Sequence, residues 1–119
     1  MAYLDSYQIF KKELGMNFPE TFSVTERIDL LERWIIVTSY IYYELDDCVI
    51  SDHTYNRNTQ MLLDYIRTNP EAFERSRYYE YFKDFQSGTG YDLYYKLSDE
   101  MKEKVEWEAL YVLNMREKR

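Results

Sequence analysis

Between Tyr42 and Asn56 the chain gathers Tyr42, Tyr43 and Tyr55 with Glu44, Asp46, Asp47 and Asp52, and this stretch holds no Lys or Arg. Aromatic faces beside carboxylates suit a cation. A flat or ammonium cation gains up to about 2 kcal/mol over a desolvated ring and gains again from a nearby carboxylate. Other chemistry is poorly provided for. His53 follows Asp52 without a Ser or Cys nucleophile in evidence, and Cys48 lies beside Asp46 and Asp47, whose charge disfavours a thiolate. One Cys and one His make no transition-metal set, and Asp46, Asp47 and Asp52 lack the Asp-x-Asp-x-Asp-Gly spacing of a calcium loop. Gly88-x-Gly90 has no preceding strand and no Gly-Lys-Ser/Thr, so it reads as a turn rather than a phosphate loop. No catalytic residue and no metal ligand is assigned, and the chain reads as a non-enzyme.

The run Tyr42-Tyr43, Asp46-Asp47, Ile50-Ser51-Asp52, Tyr55-Asn56 resembles the small N-terminal Ia domain of bacterial NAD-dependent DNA ligases over residues 27–66. That family has a Tyr followed by His or Tyr, a short acidic turn, then Ile-Ser/Pro-Asp-x-x-Tyr-Asp at the start of the next helix. The resemblance implies a site for the nicotinamide mononucleotide half of NAD. Its matching positions are Tyr42, Tyr43, Asp52, Tyr55 and Asn56. The departure is Asn56, where the family has Asp, and it removes one carboxylate. The Lys-x-Asp-Gly motif of the adenylation domain does not occur in the chain, so ligation by this chain alone is not expected. NAD or NMN is then a bound ligand of a stand-alone module rather than a cofactor in catalysis.

Charge supports a different class of function. With 22 acidic against 15 basic residues, the net charge of −7 repels phosphate, and direct nucleic-acid binding is not expected. The same charge favours a basic surface on a larger protein, such as a nucleic-acid enzyme. Small size, acidity and the lack of catalytic machinery resemble, in composition, phage-encoded inhibitors of host nucleases and defence systems that imitate DNA. In this reading, which the carboxylate lost at Asn56 favours over nucleotide binding, the chain is a non-catalytic acidic interaction module, with the nicotinamide-nucleotide module as the alternative. Fourteen tyrosines include the adjacent pairs Tyr42-Tyr43, Tyr78-Tyr79 and Tyr94-Tyr95. Helical neighbours point about 100° apart, so one ring of each pair is left toward the surface, where Tyr makes strong contacts. The partner-binding candidates are Glu44, Asp46, Asp47, Tyr78, Tyr79, Tyr94 and Tyr95.

The elements that must position these residues are helical. At 119 residues the chain suits one domain with one core. With 3 Gly and 2 Pro, and apolar residues at i+3/i+4 spacing, the class is all-α, a bundle of five or six helices around a central helix-turn-helix. No apolar run approaches a membrane span and no leader-like segment opens the chain, which reads as a cytoplasmic protein without membrane contact. Helices are predicted over residues 4–14 with Gly15 as the stop, and over 25–45 with Ser23 and Glu26 as a capping box. Another is predicted over 52–68, capped by Ser51 or Asp52 and ended at Asn69-Pro70. The aromatic second half is unrecognised. It is read as one helix over 70–86, a break at Gly88-Thr89-Gly90, a short helix near 91–97, and a last helix over 99–116 capped by Ser98.

Overall fold

Ser23 begins the element on which everything else packs. Its hydroxyl accepts the amide of Glu26 at 3.2 Å, and the Glu26 carboxylate accepts the Ser23 amide at 2.8 Å, which satisfies two amides that a helix start leaves open. Helix α2, Val24–Tyr43, follows, with Ile28 through Ser39 buried without interruption. A helix apolar on most sides belongs at the centre of a bundle. Here α2 touches α1 (Tyr3–Glu13), α3 (Asp52–Thr68), α4 (Pro70–Glu74), α6 (Leu93–Lys96) and α7 (Asp99–Glu117). A short α5 (Tyr79–Phe82) completes the order. Trp34 is fully buried at the middle of α2, and its indole N–H donates to the Leu14 carbonyl at 3.2 Å.

These elements come from a computed structural model that describes residues 3–14, 16, 18, 20–85 and 92–117; for residues 3–6 and 13 only the backbone is described. Among them there are seven helices and no strand. The radius of gyration, 13.3 Å, is close to the roughly 13.5 Å expected of one compact unit of this length. Gly15, and the break at Gly88-Thr89-Gly90 with Tyr91, lie outside the described residues.

The predicted helix over 70–86 is two pieces, α4 and α5. Pro70 starts α4 as expected, but the backbone leaves the helix after Glu74 because α2 carboxylates take its polar groups. The Arg77 amide donates to Asp29 Oδ1 at 2.6 Å, and the Ser76 hydroxyl donates to Glu32 Oε2 at 3.0 Å. Beside them, Arg33 Nε meets Glu108 Oε1 at 2.9 Å and Arg33 Nη1 donates to the Tyr78 hydroxyl at 3.0 Å. Asp29, Glu32, Arg33, Ser76 and Glu108 are all buried, so α2 is tied to α7 and to the α4–α5 corner by a polar seam within the core. Burial pushes the Glu32 carboxyl up to about 8, Asp29 adds to the rise, and the bonds from Ser76 and the Tyr78 backbone oppose it. Glu32 is therefore a neutral acid at pH 7.

Candidate functional site

Two helix faces meet where α2 ends and α3 begins. Thr38 with Tyr42 and Ser39 with Tyr43 are stacked four apart along the last turns of α2, and Asp52 stands three and four residues from Tyr55 and Asn56 in the first turn of α3. The connection is short and specific. Asp46 adopts φ 51°, a left-handed conformation that Asp tolerates better than most residues, and the Asp47 amide turns back to the Ile41 carbonyl at 3.1 Å. Ser51 then caps α3 by accepting the Thr54 amide at 3.1 Å. Of the two capping candidates it is Ser51 that acts, which leaves the Asp52 carboxylate without an ion-pair partner among the described residues.

Between these faces lies a cavity of about 300 Å³. Tyr42, Tyr43, Asp52, Tyr55 and Asn56 all line it, together with Ser39 and the turn from Asp47 to Ser51. Tyr55 forms the floor. Its ring lies 6.1 Å from that of Trp34, nearly parallel, and its hydroxyl shares a 3.0 Å hydrogen bond with Ser39 Oγ. Burial raises the Tyr55 hydroxyl above its ordinary value, and it stays protonated at neutral pH. Tyr42 and Tyr43 line it as an edge-to-face pair at 4.8 Å. At 54 % and 45 % exposure they keep enough free surface to meet a ligand. The periodicity of α2 predicts Tyr42 on the buried side, and the helix instead carries it past the end of the core.

Arg116 is the site residue that local sequence could not supply. Its guanidinium clasps Asp47 with two bonds of 3.0 and 2.9 Å and reaches the Cys48 carbonyl at 3.4 Å, tying the end of α7 to the rim. The hydrogen bond from Arg116 holds Asp47 below the ordinary carboxylate range, helped by the Cys48 amide. Asp47 is thus already compensated. Asp52 is the carboxylate left to face a cation, and Asn56, one turn along, adds an uncharged amide. Cys48 is exposed and its thiol donates to the Ile50 carbonyl at 2.9 Å, while His53 is exposed at the start of α3. Among the described residues no cluster of His, Cys, Asp and Glu forms a metal site.

The partner-binding candidates do not form one face. Tyr78 is buried because its hydroxyl satisfies the Arg33 guanidinium, which removes it from any contact surface. Tyr79 is half-buried against Phe73. Tyr94 is half-buried and donates a short hydrogen bond to Glu106, which raises its hydroxyl to about 12. Tyr95 is exposed, and its hydroxyl donates to Glu44 Oε1 at 2.7 Å. Glu44 and Asp46, with Tyr95, remain on the surface near the α2–α3 turn. No helix is long and apolar enough to cross a membrane among the described residues. Comparison with protein families, curated proteins and solved structures finds no match to this chain.

Proposed function

We propose that the chain is a non-catalytic binding module for a ligand that carries a flat cationic ring, of the nicotinamide-nucleotide class, NMN or NAD. One observation carries this reading: the five residues picked out by the ligase-domain resemblance line a single cavity. Its volume falls at the lower end of the range for small-molecule sites. The cationic ring lies between the Tyr42–Tyr43 pair and Tyr55, with Asp52 supplying the countercharge. Asn56 reduces the negative charge of the site, so affinity depends more heavily on the rings and on Asp52.

Thermal unfolding with NMN and NAD tests it. At a hundredfold excess over Kd the ligand stabilises the fold by about 2.7 kcal/mol, and Tyr42→Ala or Asp52→Asn, both at exposed positions, remove the shift without lowering the unliganded Tm. A shift that survives both substitutions places the nucleotide elsewhere.

A second reading rests on charge: an acidic interaction module that covers a basic surface of a larger protein, such as a nucleic-acid enzyme or a component of a defence system. The exposure of Asp46 and of Tyr95, which bonds the half-buried Glu44, favours it. In that case reversal of Glu44 and Asp46 to Lys slows association with the partner, and added salt does the same.

A further inference from the structure

Along α7 the positions Glu100, Glu103, Trp107, Leu110, Asn114 and Glu117 follow one another at spacings of three and four, and every one of them is exposed. This spacing puts them on one face of the helix, with an apolar pair, Trp107 and Leu110, between acidic positions. Trp107 is 62 % exposed and Leu110 56 %, the largest apolar exposures of α7. Tyr111 stacks against Trp107 with ring centres 5.5 Å apart and planes 29° from parallel, so the indole is held upright. On the same seam every charge is negative. Glu100 and Glu103 lie toward the helix start, where the helix dipole favours them, but Glu117 sits in the last turn, where the dipole opposes it. Among the described residues, the cations beside these carboxylates are already engaged: Lys104 is paired with Glu100 at 3.2 Å, and Arg116, next to Glu117, is paired with Asp47 at 2.9 Å.

We infer that this seam docks a basic amphipathic helix of another protein, its apolar side on Trp107 and Leu110 and its Lys or Arg residues meeting Glu103 and Glu117. Those two carboxylates are roughly 21 Å apart along the axis at 1.5 Å per residue, which calls for basic residues at both ends of a four-turn helix. Charge decides against a second copy of this chain. An antiparallel pair centred on Trp107 and Leu110 sets Glu100 against Glu117, and a parallel pair sets each Glu against itself. The surface deepens the interaction reading by placing it on α7, on residues other than those that line the cavity.

The probe is an 18-residue helical peptide with leucines on one face and lysines at both ends, titrated by calorimetry into the full chain. The expected result is binding that weakens at least tenfold in Trp107→Ala and in Leu110→Ala. It weakens severalfold in the Glu103→Gln/Glu117→Gln double variant, with a shallower dependence on salt. All four positions are exposed, and unchanged Tm values confirm that the variants fold. Equal binding of a matching peptide with Glu in place of Lys overturns the assignment, as does affinity unaffected by Trp107→Ala. A concentration-dependent dimer that Leu110→Glu abolishes assigns the seam to a second copy instead and also overturns it. Binding that is lost in Glu44→Lys/Asp46→Lys but kept in Trp107→Ala leaves the interaction reading standing on the α2–α3 turn and removes it from α7.

Discussion

Glu32 and the Arg33–Glu108 pair give the most definite expectations for single residues. In the unfolded chain the Glu32 carboxyl titrates near 4.5, and in the fold near 8. Below about pH 4.5 both states hold the proton and burial exacts no penalty. Between these values the folded state keeps a proton that the unfolded state has lost, so stability falls as pH rises, by up to about 1.4 kcal/mol per unit. Above pH 8 the penalty is complete. Glu32→Gln is expected to remove that fall, as read from urea unfolding between pH 5 and pH 8; an unchanged slope means that another group titrates. Glu108→Ala strands the Arg33 guanidinium with only Tyr78 for a partner and is expected to cost about 3–5 kcal/mol. The double change Arg33→Met/Glu108→Met costs much less, because it removes both charges together. Denaturant midpoints decide between these outcomes, and equal losses for the single and double variants contradict the account. Neither residue stands out in the sequence. Period counting assigns charged positions to the outside, and only a helix buried on every side brings Asp29, Glu32 and Arg33 within it.

At the scale of elements, the helices whose ends carry local signals were legible and those decided by distant contacts were not. Ser23 with Glu26, Ser51 before Asp52, and Asn69-Pro70 mark their boundaries within a few residues, and α2 and α3 follow them. The corner between α4 and α5 could not be read in this way, since it is made by Asp29 and Glu32 more than forty positions earlier. The cavity divides along the same line. Its two faces follow from helical spacing across one short turn, whereas the clasp on its rim joins Asp47 to Arg116, which are 69 positions apart. Ser51→Ala is expected to lower stability by about 1 kcal/mol through loss of the α3 cap, and to weaken any ligand that needs Asp52 and Tyr55 in place. A cap variant with full stability in thermal unfolding shows that the first turn of α3 is held by packing instead.

For the whole molecule, acidity and helical architecture set what the chain can meet. The net charge of −7 steers cations toward it, and two chemically distinct surfaces are proposed to receive them: a tyrosine-lined cavity between α2 and α3 and an acid-flanked apolar pair on α7. They are lined by different residues, although Arg116 of α7 clasps the cavity rim, so Trp107→Ala is expected to leave ligand stabilisation intact and Tyr42→Ala to leave peptide binding intact. Loss of both functions in either variant points to one shared surface. The central claim is that the cavity selects a flat cation, and titration calorimetry of NMN against its reduced, uncharged-ring counterpart tests it most directly. The account predicts that the oxidised form binds at least tenfold more tightly, with the preference lost in Asp52→Asn. Equal affinity for the two forms, or no heat with millimolar NMN, contradicts it.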